Sequence, residues 1–323
     1  MTMIPYPDAL GKWTLHKNAA YQQGTRLRNA GAAVGRKDIW LRGDIMRDCS
    51  SRIEYTYCQE CGSLHIRRTN LCRDRLCPIC AWRLSLQRIG DMMQTLEYLH
   101  QQRAHISAAM LTLTIKNVDA DNLSNTISHM LHAWDRLLKR RAVQKWIAGY
   151  ARSIEITRAS NGTYHPHIHA LLIWTDGYNK DISQRNWAAM WAAALGTDYT
   201  PVVDIRAAYS RTVAATEWDK LVSATIECTK YAIKGGTLDG IPDTDLIAVA
   251  DALKGRRLIS YGGIVRAARA ALKLPADGAE TATDVADTAI ECPKCGATDT
   301  VILAYTWARD SGAYLLAPYP YSV

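Results

Sequence analysis

Residues 152–174 carry the pattern of a β-hairpin. Two strand-like runs, Arg152–Arg158 and Tyr164–Trp174, flank the loop Ala159–Thr163, which contains the turn-forming residues Asn and Gly. Three histidines stand at alternate positions of the second run: His165, His167 and His169. Alternate side chains of a strand project from one face, and imidazoles grouped in this way bind divalent metal ions. The sequence therefore predicts a metal site on one face of a hairpin.

The length of the hairpin loop decides whether Glu155 joins that face. A two-residue turn at Asn161-Gly162 would place Glu155 opposite Ile168, on the other face of the sheet. A three-residue loop over 160–162 places it opposite His167 instead, and glycine suits the left-handed last position of that loop. We therefore predict the longer loop, with a carboxylate suited to Mg²⁺ or Mn²⁺ beside the histidines. The predicted ligands are His167, His169 and Glu155, with His165 as a further candidate.

The segment ECTKYAIK, residues 227–234, places four reactive side chains on one face of a predicted helix: Glu227, Lys230, Tyr231 and Lys234. A phenol with a pKa of about 10 is a weak nucleophile at neutral pH, so its attack on a phosphate requires nearby cations and a base. Two lysines and a metal ion would supply the cations, and the metal ion would also polarise the phosphoryl oxygens.

Both segments also have ordinary structural interpretations. The histidines would then be surface residues of a solvated strand, and Glu155 would form an ion pair with Arg152 or Arg158. Glu227 would pair with Lys230 on a solvated helix face. Chemistry at this site therefore depends on whether the hairpin and the tyrosine helix come together.

The nine cysteines fall mostly in C-x2-C pairs of a long chain, a pattern that favours zinc over disulfides. We predict one structural zinc site of four thiolates from two such pairs: Cys58, Cys61, Cys77 and Cys80. Three neighbouring residues are possible substitutes for one ligand: Cys72, Cys49 and His65. The pair Cys292 and Cys295 has no second pair after it and is left as half of a zinc ribbon. With no export signal or membrane-spanning run, a cytoplasmic location without membrane attachment is expected.

The positive charge of the chain is clustered. Its net charge is +8, and the stretch from Leu64 to Arg88 has six arginines against the single acid Asp74. Another six Lys or Arg stand without an acid between Ala252 and Ala276. Such clusters suit contacts with the phosphates of DNA, although a merely solvated helix face is the alternative for the second cluster. The candidate DNA contacts are Arg73, Arg75, Arg83, Arg266, Arg269 and Lys273.

Strand and helix patterns interleave without a regular βαβ rhythm, which favours an α+β fold with a central antiparallel sheet flanked by helices and an N-terminal zinc-binding subdomain. Five segments are predicted: a loosely ordered basic arm (1–48), a Cys- and Arg-rich zinc subdomain (49–105), a domain that carries the hairpin and the tyrosine segment (106–274), an acidic linker (275–291) and a C-terminal tail (292–323).

Three motifs in this order resemble the HUH endonuclease superfamily, and most closely its single-tyrosine replication initiators of rolling-circle plasmids. They are LTLTIKN (111–117), HPHIHALL (165–172) and ECTKYAIK (227–234), and the block CRDRLCPICAWR (72–83) is similar to the cysteine-rich block of that family. The resemblance covers residues 55 to 270 and implies that the domain over 106–274 is an HUH nuclease domain.

The resemblance implies that Tyr231 nicks origin DNA, stays joined to the 5′ phosphate and frees a 3′ hydroxyl for a host polymerase, with a host helicase as a further partner. It implies a divalent metal ion on His167 and His169, and a water-activating role for Glu227 in the terminating cleavage. Gly235 stands four residues after Tyr231, where two-tyrosine relatives have a second nucleophile. An HUH-type transposase and a catalytically silent, zinc-stabilised DNA-binding regulator are the alternatives.

Overall fold

The computed structural model describes residues 9–102, 107–174, 182–207, 216–229, 240–275 and 291–317. The fold is α+β, with two antiparallel sheets and flanking helices, as predicted. The chain divides into two compact units, the first formed by residues 1–83 and 282–323 and the second by residues 84–281. Among the described residues, no helix is long and apolar enough to cross a membrane.

Two helices, α1 (Ala9–Ala33) and α2 (Lys37–Asp48), begin the first unit. The prediction of a loosely ordered arm over residues 1–48 is therefore wrong for these segments. The two helices approach so closely that a Cβ added at Gly24 would lie 2.7 Å from the carbonyl oxygen of Gly43. Small residues and a buried lysine, Lys17, occupy interior positions of the pair, so the apolar periodicity that signals a helix in sequence is weak.

The first unit contains the strands β1 (Arg52–Cys58), β2 (Leu64–Thr69), β8 (Thr300–Ala308) and β9 (Ala313–Leu316). They form one antiparallel sheet of order β2-β1-β8-β9. The C-terminal strands thus pair with the cysteine-rich segment, Cys58 lying opposite Thr300. The segment predicted as a separate tail belongs to this sheet, a pairing so distant in sequence that no local pattern reveals it.

The second unit contains a five-stranded antiparallel sheet of order β6-β3-β5-β4-β7. The strands are β3 (Ala108–Thr114), β4 (Ile147–Arg158), β5 (Tyr164–Trp174), β6 (Val203–Ala207) and β7 (Ile259–Gly262). The helices are α3 (Pro78–Gln102), whose first turns belong to the first unit, α4 (Leu123–Leu138), α5 (Arg141–Trp146), α6 (Gln184–Leu195), α7 (Glu217–Thr229), α8 (Asp243–Leu253) and α9 (Gly263–Ala271). Most of the predicted acidic linker, residues 276–290, lies outside the described residues.

The hairpin of β4 and β5 has the predicted three-residue loop. The backbone N–H of Ala159 donates to the carbonyl of Thr163 at 2.8 Å, and Gly162 has a φ of +89°. Glu155 consequently lies opposite His167, as the loop chemistry required.

One face of the five-stranded sheet is apolar at one end and polar further along the strands. Towards one end its residues are apolar and lie in a core beneath α3, α7 and α9: Ala108, Ala151, Leu171 and Ile173 from the strands, with Met92, Leu96, Leu221, Ala224 and Val265 from the helices. By the alternation of β4 and β5, the same face continues into Glu155, His167 and His169. The histidines therefore begin where the covering core ends.

Candidate active site

Three predicted metal ligands converge at this place on the sheet. The Nε2 atoms of His167 and His169 lie 3.2 and 2.8 Å from the same carboxylate oxygen of Glu155. One ligand atom from each of the three residues lies within 4.8 Å of the others, a spacing that allows all three to bind one metal ion. Glu155 is only 2% exposed. A buried carboxylate facing two imidazole nitrogens is a suitable set for a divalent cation.

The other nitrogen of each ring has a partner that orients it. The Nδ1 of His167 lies 3.2 Å from the backbone carbonyl of His165, and a carbonyl only accepts hydrogen bonds. Nδ1 is therefore the donor, which leaves the Nε2 lone pair directed towards the site. The Nδ1 of His169 lies 3.2 Å from the hydroxyl of Thr112 on β3. The sequence reasoning missed this threonine, although it stands in the LTLTIKN motif.

We expect Thr112→Val to weaken metal binding, because valine keeps the shape of threonine but cannot hold the His169 ring by a hydrogen bond. The expected effect is a rise in the dissociation constant for Mn²⁺ of about 10-fold, measured by calorimetry. Thr112→Ser retains the hydroxyl and is the matched control. An unchanged affinity in the valine variant would mean that the hydroxyl does not orient His169.

The other residues predicted for this site are not part of the three-residue cluster. His165 is not a member of the three-residue cluster, and burial lowers the pKa of its imidazole. Glu227 is half-buried near the end of α7. Three predicted catalytic residues lie outside the described residues: Lys230, Tyr231 and Lys234.

Helix α7 is fixed to the sheet by Cys228, a residue to which the sequence reasoning assigned no role. Its thiol donates to the carbonyl of Ala151 at 3.1 Å and lies 3.7 Å from the carbonyl oxygen of His169. The side chain is fully buried, and this burial raises the pKa of the thiol to about 12. It is therefore a neutral donor that holds the end of α7 against β4 and β5, the strands of the predicted metal ligands.

The cysteines form two four-residue clusters, and this corrects the predicted zinc site. Cys77 and Cys80 lie with Cys49 and Cys72, whereas Cys58 and Cys61 lie with Cys292 and Cys295. The prediction that Cys58, Cys61, Cys77 and Cys80 share one site is wrong, because β1 pairs with the distant strand β8 and brings the C-terminal pair to Cys58. Each cluster could hold a metal ion.

In the first cluster, Cys49/Cys72/Cys77/Cys80, a hydrogen bond with Cys72 raises the pKa of Cys49, burial raises the pKa of Cys77, and Cys80 differs from both. The backbone N–H of Arg73 donates to the Cys80 sulfur at 3.2 Å. Hydrogen bonds from the thiols of Cys49 and Cys72 hold the pKa of Cys80 far below its usual value. The fully buried Lys17 of α1 donates to the carbonyl oxygens of Arg47 and Cys49, both at 2.7 Å. The positive charge of Lys17 suits a site with excess negative charge, and no sequence pattern indicated this contact.

The basic residues predicted to contact DNA divide into two groups. Arg73, Arg266 and Lys273 are exposed, and Arg75 is half-buried. Arg269 is only 2% exposed, so its predicted role in DNA contact is wrong. Its guanidinium lies 3.9 Å from the ring centroid of Tyr261 and 3.7 Å from the carboxylate of Asp91, contacts that anchor α9.

Arg83 also has an internal contact. Its guanidinium carbon lies 5.4 and 5.8 Å from the ring centroids of Trp13 and Trp82, and burial lowers its pKa. Packing on two indoles positions this arginine and accounts for part of its burial.

Known proteins resemble this chain over most of its length. A family model described as "Replication protein" matches residues 63–315. A "Protein rep" of Lentilactobacillus hilgardii is 35% identical over 72% of this chain and 76% of its own length. The protein of the same name from Streptococcus pneumoniae serotype 2 is 34% identical over 67% of this chain and 68% of its own length. That from Bacillus amyloliquefaciens is 32% identical over 72% of this chain and 74% of its own length. No solved structure matches.

Proposed function

This chain belongs to the replication protein family, and we propose that it initiates rolling-circle replication of a plasmid by nicking one strand of the origin. The observation that carries the proposal is the cluster of Glu155, His167 and His169, which lies on the sheet beside the end of α7. That helix leads, two residues after Thr229, to Tyr231. A metal site next to a tyrosine segment supports phosphoryl transfer to a phenol.

Glu155, His167 and His169 would hold the catalytic cation, which we propose to be Mg²⁺ or Mn²⁺. The donor set of one carboxylate and two imidazoles fits these ions, and the orienting contacts of both rings direct Nε2 towards the carboxylate. When bound, the cation would act as a Lewis acid on the oxygens of the scissile phosphate.

Cys228 supports the assignment of Tyr231 as the nucleophile. Three residues of chain span at most about 10 Å, and the Cys228 sulfur lies 3.7 Å from the carbonyl of His169. We therefore propose that Tyr231 acts at the site of Glu155, His167 and His169. Lys230 and Lys234 are proposed to stabilise the phenolate and the phosphate by their charge.

In the proposed step, the phenol of Tyr231 loses its proton to a base and its oxygen attacks the phosphorus. The bond from phosphorus to the 3′ oxygen breaks, and that oxygen takes a proton. The products are a 5′-phosphotyrosine and a 3′ hydroxyl that a host polymerase extends while a host helicase opens the duplex. The family resemblance supports this polarity and these partners.

Glu227 is proposed to activate water for the terminating cleavage. It stands four residues before Tyr231 in the sequence, a spacing that corresponds to about one turn of a helix. We expect Glu227→Gln to form the covalent complex at a nearly unchanged rate but to hydrolyse it about 100-fold more slowly, the contribution of a general base. The two rates are measured on separate single-stranded substrates. Equal slowing of both would assign Glu227 to the first cleavage or to the fold.

The first cysteine cluster is proposed to hold a structural zinc ion. Four thiolates around Zn²⁺ have a net charge of −2, and the buried ammonium of Lys17 at the Cys49 carbonyl offsets part of it. Exposed basic residues of the chain, among them Arg73 and Arg266, are proposed to contact DNA phosphates.

The proposal is tested with a supercoiled plasmid that carries the origin of the replicon encoding this chain. We expect one nicked circular product, with protein attached at the 5′ end, that requires Mg²⁺ or Mn²⁺. A regulator without catalysis would bind this plasmid and leave it supercoiled. An HUH-type transposase would act on the ends of a mobile element in preference to the origin.

A further inference from the structure

We propose that Cys58, Cys61, Cys292 and Cys295 bind a second zinc ion, which joins the N-terminal and C-terminal segments of the first unit. These four residues form the second cluster. The inference is independent of the nicking proposal, because it concerns a site with no part in the chemistry at Tyr231.

The two C-x2-C pairs of the second cluster have the same local structure. In each pair the N–H of the following glycine donates to the carbonyl of the first cysteine, Gly62 to Cys58 at 3.0 Å and Gly296 to Cys292 at 2.8 Å. Both glycines have positive φ, +66° and +74°. Such a turn directs both thiols of a pair to one side, as tetrahedral zinc sites require.

A second hydrogen bond closes each turn in the same way. The N–H of Cys58 donates to the carbonyl of Ser63 at 3.0 Å, and the N–H of Cys292 donates to that of Ala297 at 2.7 Å. The chain therefore contains two copies of one turn. The pair that the sequence left as half of a zinc ribbon has its partner more than 200 residues upstream.

The distances between the sulfurs fit a metal centre. Cys58 and Cys295 are 3.6 Å apart between their sulfur atoms, and Cys61 and Cys292 are 3.7 Å apart. Four sulfurs at about 2.3 Å from one zinc ion lie about 3.8 Å from one another. A disulfide would need about 2.05 Å. These two separations match those of a tetrathiolate zinc site, and all four sulfurs lie within 4.8 Å of one another.

The backbone around the second cluster holds the two turns in register. Strand β1 pairs with β8 up to Cys58 and Thr300, and the N–H of Gln59 donates to the carbonyl of Asp299 at 3.0 Å. The side-chain amide of Gln59 also donates to the side-chain carboxylate of Asp299 at 2.7 Å. A zinc ion at the end of this ladder would close the chain between its two distant segments, and each thiol would release its proton on binding.

The zinc content of the full-length protein tests the proposal. We expect two zinc ions per chain by native mass spectrometry and elemental analysis, and one in the double variant Cys292→Ser/Cys295→Ser. Cys228→Ser is the matched control, since Cys228 belongs to neither cluster, and it should retain both ions. Equal zinc contents in the wild-type chain and the double variant would overturn the proposal.

Alkylation of the unmodified protein is a second measurement that does not require the double variant to fold. We expect Cys292 and Cys295 to resist iodoacetamide until a chelator removes zinc, and then to react without a reducing agent. Exposed Cys295 is the sensitive position, because a free thiol there would react at once. Immediate reaction, or reaction only after reduction, would contradict the zinc assignment.

Discussion

The variant Tyr231→Phe is expected to lose strand nicking and covalent attachment to DNA, with a fall in rate of about three orders of magnitude or more, as for other enzymes that lose a nucleophile. Phenylalanine keeps the ring and removes only the attacking oxygen. Binding of origin DNA and of Mn²⁺ should therefore remain within a few-fold of the wild-type values. The measurement is the yield of nicked circles from a supercoiled origin plasmid.

A second tyrosine provides the control for this experiment. Tyr98 of α3 packs against the core cluster, and Tyr98→Phe removes the same hydroxyl group from a side chain with no proposed part in catalysis. It should nick at the wild-type rate. Unchanged nicking by Tyr231→Phe would remove Tyr231 from the mechanism, and equal losses in both variants would indicate a general effect on the fold.

The second large effect is expected from the metal ligands. His169→Ala removes the imidazole that lies 2.8 Å from Glu155, so we expect Mn²⁺ affinity to fall by about 100-fold or more, a loss at least as large as that for an orienting partner. Nicking at low metal concentration should fall in parallel and recover partly at high concentration. Calorimetry and nicking rates over a series of Mn²⁺ concentrations measure the two effects.

His165→Ala is the matched control, two residues along the same strand. The His165 side chain is not part of the three-residue cluster, so this variant should retain metal affinity and nicking within a few-fold. If the two variants lost activity equally, the metal would not be bound by the set of Glu155, His167 and His169.

The hairpin shows what the sequence could predict. Loop length, the positive φ of Gly162 and the alternation of a strand are local properties, and together they placed Glu155 opposite His167. The same local signals predicted β5 over Tyr164–Trp174 with both ends as observed. The cluster of Glu155, His167 and His169 could be predicted because all three residues lie within one hairpin.

The cysteine clusters show where such reasoning fails. The spacing of Cys58, Cys61, Cys77 and Cys80 suits one zinc site, but spacing does not reveal that β1 pairs with β8. Because of that pairing, Cys58 and Cys61 lie with Cys292 and Cys295 and not with Cys77 and Cys80. Cys49, which follows α2, could be named only as a spare ligand, because no local pattern distinguishes it from a free thiol.

Charge alone was equally ambiguous for Arg269. On the sequence it belongs to a basic stripe with Arg266 and Lys273, yet it is buried against Tyr261 and Asp91. An arginine can be buried when an aromatic ring and a carboxylate contact its guanidinium. Here the ring belongs to β7 and the carboxylate to α3, and the pattern of the α9 helix alone predicts neither contact. The helix pair α1 and α2 escaped prediction for a related reason, since its contacts use glycine and Lys17 as well as apolar side chains.

We propose that Tyr231 becomes joined to the 5′ end of the nicked strand, and mass spectrometry of the peptide that remains on the DNA tests this attachment. The wild-type protein is incubated with an origin oligonucleotide and Mn²⁺, digested with protease, and the DNA-bound peptide is sequenced. We predict one peptide, modified at Tyr231 by the 5′ phosphate of the cleaved strand. A modification at another residue, attachment through a 3′ phosphate, or cleavage with no attached peptide would contradict the mechanism.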